Sequence, residues 1–435
     1  MEQDKENKEN WMISDLHIHS KYSRATSINL SFENLVKWAK IKGLNLLGTG
    51  DFTHPIWFEE IKKLEDRENG IYYYNNFPFI ITGEISLIYT QERGRRIHLV
   101  ILVPSIEIAE KINAYLDTKG RRDYDGRPIF KIPGDEFVRE MMKISKDIEI
   151  IPAHCMTPWF GLFGSMSGFD NLKECFKEQL ENVHAVESGM SADPKMLWKI
   201  KELETKAIVS FSDSHSFWPF RLGREATIFN ARKLKISGVT EWETQGSVVK
   251  IDSYKELIRQ IRENDFIATI ETDPSYGKYH YDGHRLCNFS CSPEQSKKIN
   301  GICPVCKKPL VIGVDNRVVQ LTDVAENYKP KNMKPFYTLL PLHEVIALSI
   351  NSKIENKKTW QVYNELIGKF GNEFNILLNV SKEEFLRQNT DTLKGTSDKL
   401  IELILKNREG KIKIKPGYDG EYGIPLIEEK QEKLF

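Results

Sequence analysis

The sequence predicts an α/β protein in which residues 11–270 form a sheet of parallel strands, open or closed into a barrel. Two observations support this fold class. Short apolar runs alternate with amphipathic stretches along this part of the chain, which is the pattern of repeated strand-then-helix units. Polar side chains follow the apolar runs at their C-terminal ends, as they do at the rim of a parallel barrel.

The predicted elements follow in order from the N-terminus. MISDLHIH is predicted to be a strand, and FENLVKWAKIKG a helix, because its apolar residues recur at helical spacing and Gly43 ends it. LNLLGTGD is the next predicted strand and WFEEIKKLED the next helix. Five more strands are predicted, most of them separated by helical stretches: FPFIITGEISLIY, RRIHLVILV, IEIIPAH, VHAVESG and KAIVSFSDSH.

Length and composition narrow the class of protein. A chain of 435 residues is expected to form two or three domains. Its hydrophobic fraction of 40% and charged fraction of 29% are those of a globular protein, and no apolar run approaches membrane length. The segment MEQDKENKEN, residues 1–10, is polar throughout. It argues against a secretory signal and predicts a flexible tail.

Candidate metal ligands stand at the predicted strand ends. His17 and His19 alternate along the first strand, so their side chains would point the same way. Two histidines aimed at one point would repel each other if both were protonated, and a shared cation is the simpler explanation. One such residue alone would more often cap or hydrogen-bond, but a set of eight predicts a metal site. The eight are His17, His19, Asp51, Glu84, His154, Glu187, Asp213 and His215.

Four of the six cysteines fall in one segment, CNFSCSPEQSKKINGICPVC. The pair Cys287-x3-Cys291, followed after a short gap by Cys303-x2-Cys306, has the spacing of a four-thiolate zinc site. This spacing indicates metal binding in a reducing cytoplasm rather than a disulfide framework. From about residue 340 onward, the patterns PLHEVIALSI, QVYNELIGKF, KEEFLRQ and SDKLIELILKNREG predict helices.

Several longer motifs resemble known families. The start DLHIH, the Glu84 strand, the histidines at 98 and 154, and Asp213-x-His215 resemble a polymerase and histidinol phosphatase (PHP) domain. DLHIHSKYSRATS, LNLLGTGDFTHP, PAHCMTPWFGLFGSMSGFD, VESGMS, SDSHSFWPFRLGREAT, the four-cysteine segment and IKPGYDGEYG together resemble endonuclease Q, a family of DNA-repair nucleases of archaea and some bacteria. The resemblance runs from about residue 12 to the C-terminus.

The resemblance implies a distorted (β/α)7-type PHP barrel with a zinc-binding insert and a C-terminal helical domain. The expected boundaries are a flexible tail at 1–10, a PHP catalytic domain at 11–270, a zinc-knuckle domain at 271–325 and the helical domain at 326–435. The expected cofactors are two or three divalent metals in the PHP site (zinc, manganese, magnesium or iron) and one structural zinc, whose expected ligands are Cys287, Cys291, Cys303 and Cys306.

The resemblance also implies which residues hold the PHP metals. Two metals are expected to share Glu84. The expected ligands are His17, His19, Glu84 and Asp213 for the first metal, Glu84, His98 and His154 for the second, and His215 with Asp51, or less favourably His54, for a third where it is present. Three-metal PHP domains usually carry an acid or a histidine soon after the first H-x-H motif, whereas this chain has SKYSRATS. Arg24 is therefore expected to replace part of that site and hold phosphate.

The reaction that the resemblance implies is hydrolysis of DNA on the 5′ side of deaminated bases (uracil, hypoxanthine, xanthine) and abasic sites. Mixed histidine and carboxylate ligands suit zinc, manganese or iron, and paired metals suit in-line displacement at phosphorus. Asp213 and Glu84 are the expected catalytic carboxylates, and Arg221 and Arg24 the expected catalytic arginines. Two alternatives are a PHP-type phosphatase acting on a small phosphomonoester and a DNA-binding protein without activity. A small substrate needs no zinc segment, and the intact ligand set argues against lost activity.

The expected partner is DNA with deaminated or abasic lesions, and no membrane partner is expected. Because the formal net charge is zero, basic side chains must be concentrated locally to bind DNA. Candidate runs are RGRR, KGRRDYDGR, KPKNMKP and the lysines beside the cysteines. A base pulled out of the stack needs an aromatic and polar pocket, for which the candidate substrate-binding residues are Trp159, Phe160, Phe163, Arg224 and Glu187. The terminal QEKLF, residues 431–435, is a weak candidate for sliding-clamp binding.

Overall fold

A computed structural model describes residues 10–67, 69–231, 253–326, 328–388 and 397–426. Except for Asn10, the predicted tail at 1–10 lies outside the described residues, and so does the clamp candidate QEKLF. Within the described part of the chain, no helix has the length and apolar character needed to cross a bilayer.

The strands of the described residues are β1 (Trp11–Asp15), β2 (Leu46–Gly48), β3 (Glu65–Asp66), β4 (Tyr72–Tyr74), β5 (Phe77–Gln91), β6 (Arg93–Val103), β7 (Ile129–Phe130), β8 (Glu149–Pro152), β9 (Ala185–Glu187), β10 (Ala207–Val209), β11 (Ala226–Asn230), β12 (Ala268–Glu271), β13 (Asp282–His284), β14 (Phe289–Cys291), β15 (Phe336–Thr338), β16 (Ile414–Lys415) and β17 (Ile424–Pro425).

The α-helices of the same residues are α1 (Phe32–Lys42), α2 (Pro55–Ile61), α3 (Ile106–Asp117), α4 (Gly134–Ile144), α5 (Leu172–Phe176), α6 (Pro194–Leu197), α7 (Tyr254–Arg262), α8 (Pro293–Lys298), α9 (Val314–Leu321), α10 (Leu342–Ser349), α11 (Lys357–Phe370), α12 (Glu373–Leu378), α13 (Lys382–Arg387) and α14 (Ser397–Arg408).

The α/β fold class is confirmed, but the sheet is mixed rather than parallel. β1, β2 and β5 run parallel, and so do β9 and β10. In contrast, β6 is antiparallel to both β5 and β8. The prediction of parallel strands was wrong at β5 and β6 because only Glu92 separates them. A parallel pair needs a crossover of a dozen or more residues, so these two strands can only form a hairpin.

The strands close into a distorted barrel in the order β1, β2, β5, β6, β8, β9 and β10. Backbone hydrogen bonds just beyond the strand ends complete the closure. Cys155 N–H donates to the Glu187 carbonyl at 2.9 Å, which joins the end of β8 to β9, and His19 N–H donates to the Ser214 carbonyl at 2.9 Å, which joins the end of β1 to that of β10. The C-terminal ends of these strands, except that of the antiparallel β6, therefore lie toward one rim.

Local chemistry explains the first helix. Ser31 accepts a hydrogen bond from Asn34 N–H at the start of α1, and Gly43 ends the helix in the left-handed region at φ 96°. Between these caps, Leu35, Val36 and Ala39 bury one face of α1 against the barrel. The predicted stop at Gly43 is confirmed.

Helices α10–α14 form the predicted C-terminal helical region. Its attachment to the barrel includes a buried ion pair, because Lys42 Nζ lies 2.7 Å from Glu373 Oε1 and donates to the Pro219 carbonyl at 2.7 Å. Arg408 donates to the carbonyls of Ile376 and Leu377 at 3.0 and 2.7 Å and so satisfies the end of α12. These polar contacts fix the helical region beside the segment that follows Asp213.

Candidate metal centre and metal-binding knuckle

Two groups of metal-ligand side chains meet at one carboxylate, that of Glu84. Glu84 Oε2 lies 3.5 Å from His17 Nε2 and 3.3 Å from His19 Nε2, and Asp213 Oδ1 lies 3.0 Å from His19 Nε2. On the other side, Glu84 Oε1 lies 2.8 Å from His98 Nδ1 and 3.2 Å from His154 Nε2. Within each group, all ligand atoms lie within 4.8 Å of one another. We call these two groups the metal centre.

The barrel positions each of these side chains. Glu84 and His98 lie on the same face of the β5–β6 hairpin. His98 is directly opposite Ser86, and Glu84 is two residues from Ser86 along β5, so the three side chains point the same way. His154 and Asp213 follow β8 and β10, with φ of 32° and 48°. Left-handed backbone at non-glycine residues costs energy and clusters at functional sites. These turns direct both side chains into the rim.

Two outer carboxylates orient the paired histidines. Glu187 Oε1 lies 2.9 Å from His17 Nδ1, and Asp51 Oδ1 lies 2.9 Å from His19 Nδ1. Each carboxylate accepts the Nδ1–H of its histidine, which leaves the Nε2 lone pair to face the centre. The contacts place both residues differently from the sequence interpretation. Asp51 belongs to neither ligand group, and its other oxygen accepts from Ser20 and Ser23. Glu187, predicted to bind substrate, is fully buried and also accepts His154 N–H.

The chemistry of the centre fits divalent cations. His17 Nε2 is buried without a hydrogen-bond partner although it faces two carboxylates, as expected of a ligand atom. Burial lowers the pKa of His98 to about 4, which keeps its imidazole neutral and able to bind a metal. Burial opposes the ionisation of Glu84, but His98, Arg127 and His17 hold its pKa well below the usual range.

The other residues predicted for a third metal do not join either group. His54 stacks on Tyr22, with ring centroids 4.4 Å apart, and its Nδ1 is buried without a partner. The His215 ring lies 4.3 Å from that of His19, and its Nδ1 lies 3.0 Å from the backbone carbonyl of Asp213. His215 Nδ1 also lies 3.7 Å from Asp213 Oδ1, a carboxylate of the first group, but neither His54 nor His215 belongs to the groups of converging ligand atoms.

One functional side chain was missed by the sequence interpretation. Arg127 Nη1 lies 2.9 Å from Glu84 Oε2, and a quarter of the Arg127 side chain is exposed. It follows Gly126, where a Cβ atom would lie 2.1 Å from Asp51 Oδ2. The signal was present in the run KGRRDYDGR, which was considered only as a basic surface. A glycine and an arginine held against the rim place this loop over the metal centre.

The predicted arginines lie further out. Arg24 is 75% exposed, with its Nε 3.3 Å from Asp125 Oδ2. The Arg221 guanidinium lies over the rings of Phe220 and Tyr422, 5.7 and 5.9 Å from their centroids. Arg224 donates to the Ser212 carbonyl at 3.2 Å, beside the Asp213 ligand. None of these contacts is to a carboxylate of the two ligand groups, in contrast to Arg127.

The aromatic residues after His154 divide into two kinds. Phe163, predicted to bind substrate, is fully buried in the core. Phe160 and Trp159 are half-buried. Phe160 stacks on His98 with ring centroids 4.3 Å apart, and Trp159 packs edge-on against Tyr279 at 5.3 Å. The loop therefore offers two accessible rings beside the second ligand group.

The cysteine segment forms a third group of metal-ligand side chains, separate from the metal centre, and its members differ from the prediction. His284, Cys287, Cys303 and Cys306 bring one ligand atom each within 4.8 Å of the others. His284 Nδ1 lies 3.1 Å from Cys287 Sγ and 3.2 Å from Cys306 Sγ. We call residues 284–308 the knuckle. Its mixture of nitrogen and sulfur ligands is that of a structural zinc site.

The structure groups His284, rather than the predicted Cys291, with the other three cysteines. Cys291 pairs with Asp282 at the end of the β13–β14 hairpin away from its turn, whereas His284 lies next to the turn that carries Cys287. The missed signal was His284-x2-Cys287, which repeats the spacing of Cys303-x2-Cys306.

The chain is similar to known proteins in sequence and in structure. Residues 341–411 match the family model described as the MJ0043 C-terminal domain. The chain is 36% identical over 270 residues to the uncharacterized protein MJ0043 of Methanocaldococcus jannaschii, a match that covers 62% of this chain. The match covers 31% of that protein, so the chain spans about a third of the length of this relative.

Two solved structures share the fold of nearly the whole chain. One is the lesion-specific endonuclease PfuEndoQ from Pyrococcus furiosus, with a TM-score of 0.80 and 28% identity over 98% of this chain and 97% of that one. The other is endonuclease Q in complex with a 27-mer duplex substrate with an abasic lesion at the active site. It has a TM-score of 0.80 and 29% identity, and the match covers 98% of each chain.

Proposed function

Because the chain belongs to the endonuclease Q family, we propose that it is a metal-dependent DNA endonuclease of the cytoplasm that acts on damaged DNA. The proposed reaction is hydrolysis of the phosphodiester bond on the 5′ side of the damaged nucleotide, which leaves a 3′ hydroxyl and a 5′ phosphate. The proposed lesions are abasic sites and the deaminated bases uracil, hypoxanthine and xanthine. The proposal that it acts on abasic sites is supported by the related endonuclease Q that holds a duplex with an abasic lesion at its active site.

The observation that carries this proposal is the position of Glu84 between two ligand groups. His17, His19, Glu84 and Asp213 would hold one cation, and Glu84, His98 and His154 the other. Zinc, manganese and iron suit these mixed ligands, and magnesium suits their carboxylates. Two divalent cations at such a site supply an activated water and neutralise charge during in-line displacement at phosphorus. The protein contributes fixed ligand orientation, because Glu187 and Asp51 hold the histidines from behind.

Arg127 is the proposed contact to the phosphate beside the scissile bond. Its guanidinium lies at the metal centre, 2.9 Å from Glu84 Oε2, and a quarter of the Arg127 side chain remains exposed. A guanidinium fork binds phosphate oxygens by two charge-assisted hydrogen bonds. Arg24 is proposed as a neighbouring contact, because Asp125 accepts from both Arg24 N–H and Arg127 N–H. On the segment after Asp213, Arg221 stays a proposed catalytic arginine and Arg224 a proposed substrate-binding residue.

The proposed site for the extruded base lies in the loop after His154. Trp159 and Phe160 are half-buried there, and Phe160 covers the His98 ring. Enzymes that act on a lesion in a duplex take the nucleotide out of the stack and hold it against aromatic side chains. Sliding-clamp binding through residues 431–435 stays a prediction from the sequence.

A nicking assay tests the proposed function. The protein is incubated with Mg²⁺ or Mn²⁺ and labelled duplexes that contain one abasic site, uracil, hypoxanthine, xanthine or no lesion. The expected result is a single nick 5′ to each lesion, no nick in the intact duplex, and no nick by the Asp213→Asn variant. Hydrolysis of a small phosphomonoester without nicking would support the phosphatase alternative. Lesion binding without either activity would support the DNA-binding alternative.

A further inference from the structure

The knuckle carries two exposed apolar side chains at corresponding positions. Leu286 lies between His284 and Cys287 and is 87% exposed, and Val305 lies between Cys303 and Cys306 and is 64% exposed. Because the four ligand atoms converge within 4.8 Å, both apolar side chains are held on one small, rigid unit. We call Leu286 and Val305 the knuckle tips. Apolar side chains that are this exposed indicate a contact surface when they are grouped and rimmed by polar residues.

Basic residues surround the knuckle tips. The exposed basic residues of the knuckle are Arg285, Lys297, Lys298, Lys307 and Lys308, whereas its exposed acidic residue is Glu294. The whole chain has a formal net charge of zero, so this is a local concentration of positive charge. Lysine is depleted in the centres of protein–protein interfaces, whereas DNA phosphates attract it. The charge therefore favours a nucleic acid over a protein as the partner of this surface.

The segment that follows the knuckle is held against the loop that begins at His154. The buried guanidinium of Arg317 on α9 donates to the carbonyls of Phe163 and Phe169 at 2.8 and 3.0 Å. Ser165 Oγ donates to the Ile312 carbonyl at 3.2 Å. The same loop covers the His98 ring through Phe160. Because Val311 N–H in this segment also donates to the Gly283 carbonyl of β13, the segment joins the hairpin of the knuckle to the loop at the metal centre.

We infer that the knuckle is a DNA wedge, in which Leu286 and Val305 insert between bases beside the lesion while the lysines bind the flanking phosphates. This inference rests on the proposed function and adds how the damaged nucleotide is extruded. Apolar side chains inserted at a base step unstack it and kink the duplex. Unstacking next to the lesion lowers the cost of moving the damaged nucleotide to the metal centre.

The first experiment compares two double variants in the non-cutting Asp213→Asn background. One combines Leu286→Ala with Val305→Ala. The matched control combines Leu386→Ala with Val319→Ala, which truncates residues that are 46% and 53% exposed elsewhere. Binding to an abasic duplex is titrated, and 2-aminopurine beside the lesion reports unstacking. The tip variant is expected to bind about tenfold more weakly and to lose the unstacking signal, while the control stays within about twofold. Zinc content measured by mass spectrometry should be equal in both.

The second experiment separates the tips from the charges. Lys307→Gln with Lys308→Gln should reduce the slope of log affinity against log salt by about 1–2, since each phosphate contact contributes about 0.9. The tip variant should leave that slope unchanged. Tip variants that bind and unstack like the parent would overturn the inference, as would a changed oligomeric state with DNA binding intact. A parent that binds and unstacks but never nicks would sink the proposed function alone, and a parent that binds no DNA would overturn both.

Discussion

The metal centre and the knuckle bring metal ligands together in different ways. The ligands of the metal centre come from positions between 17 and 213 and are brought together by the folded barrel, whereas those of the knuckle fall between 284 and 306. The histidines of the centre are held from behind by buried carboxylates. Because the barrel also has its own hydrophobic core, we expect it to fold without a cation. A unit as small as the knuckle gains folding free energy from its metal.

This difference predicts which property each site loses on substitution. Variants of the metal centre should lose the reaction and keep the fold, because the strands that carry the ligands are held by the core. Variants of the knuckle should lose a metal and local order, and cutting should fall through weaker DNA binding and reduced unstacking rather than through loss of the reaction itself. The predictions below test this division, from the largest expected effect on cutting to the smallest.

Glu84→Gln should reduce cutting at least about thousandfold, or about 4 kcal/mol, because the amide cannot serve both ligand groups as a carboxylate does. Binding to the abasic duplex should stay within about tenfold. Single-turnover nicking and metal content measured by mass spectrometry check both statements. Glu92→Gln, one residue beyond the end of the same strand and 87% exposed, is the matched control. A Glu84→Gln variant that cuts at the parent rate would remove the shared carboxylate from the mechanism.

Arg127→Lys should reduce cutting about a hundredfold, or about 2.7 kcal/mol, because an ammonium cannot form the two-bond contact of a guanidinium with phosphate. Metal content should be unchanged. Arg24→Lys is the matched control and should cost about tenfold, since Arg24 is exposed and paired with Asp125. Cutting rates of both variants are measured at saturating DNA. If the Arg24 variant is the slower of the two, Arg24 rather than Arg127 is the main phosphate contact.

Glu187→Gln should weaken metal binding at the centre by about 10–100-fold, because the amide no longer fixes the Nδ1–H tautomer of His17 as a carboxylate does. Cutting should be restored by excess Mn²⁺, which distinguishes a loss of metal affinity from a loss of chemistry. A metal titration followed by nicking rate measures this, with the exposed Glu178→Gln as control. If excess metal does not restore the rate, Glu187 has a role beyond orienting His17.

The sequence predicted the centre better than the knuckle for a physical reason. Side chains at the ends of barrel strands must meet at one rim, so His17, His19 and Asp213 could be assigned without knowing their rotamers. Which carboxylate faces a ligand group and which holds the far side of a ring depends on ring orientation, and the sequence could not show that Asp51 holds the far side of His19. Arg127 was missed because it reaches the rim from a loop rather than from a strand end.

In the knuckle, the spacing of four cysteines was a weaker guide than hairpin geometry. Cys287 and Cys291 are close in sequence, yet the strand between them carries Cys291 away from the turn. The ligand that replaces it, His284, comes from the facing strand, and only the pairing of β13 with β14 brings it there. Spacing rules that count one residue type cannot include a ligand of another type from a paired strand.

His284→Asn should lose the knuckle zinc, whereas Cys291→Ser should keep it. Loss of the ion removes the folding free energy that it contributes, so hydrogen exchange should rise across residues 284–308. Cutting should fall about tenfold, or about 1.4 kcal/mol, through weaker DNA binding and the loss of unstacking. Zinc content by native mass spectrometry, with hydrogen exchange by the same method, measures both effects. Loss of zinc in the serine variant with retention in the asparagine variant would restore the four-thiolate site.

The smallest effect on cutting is expected at a buried acid pair behind the metal centre. Glu225 is 1% exposed, and its Oε2 has no hydrogen-bond partner. Glu271 is fully buried and accepts from Ser188 and Ser210 at 2.8 and 3.0 Å. Burial raises the pKa of both carboxyls above the ordinary value of 4.5, and the charge of Glu225 raises that of Glu271 further. The pair therefore links stability to pH independently of any metal.

The sign of this link follows from the raised pKa values. Between 4.5 and the higher pKa in the folded state, the folded protein binds more protons than the unfolded chain, so stability falls as pH rises through that window. Glu225→Gln removes one of the two carboxyls and therefore part of this fall in stability with rising pH. Its melting temperature should match that of the parent near pH 4.5 and exceed it at alkaline pH by a few degrees, on the order of 1–2 kcal/mol. Glu178→Gln should follow the parent at every pH. A Glu225→Gln curve parallel to that of the parent would show that the carboxyl is ionised in the folded protein, compensated by the nearby Arg224.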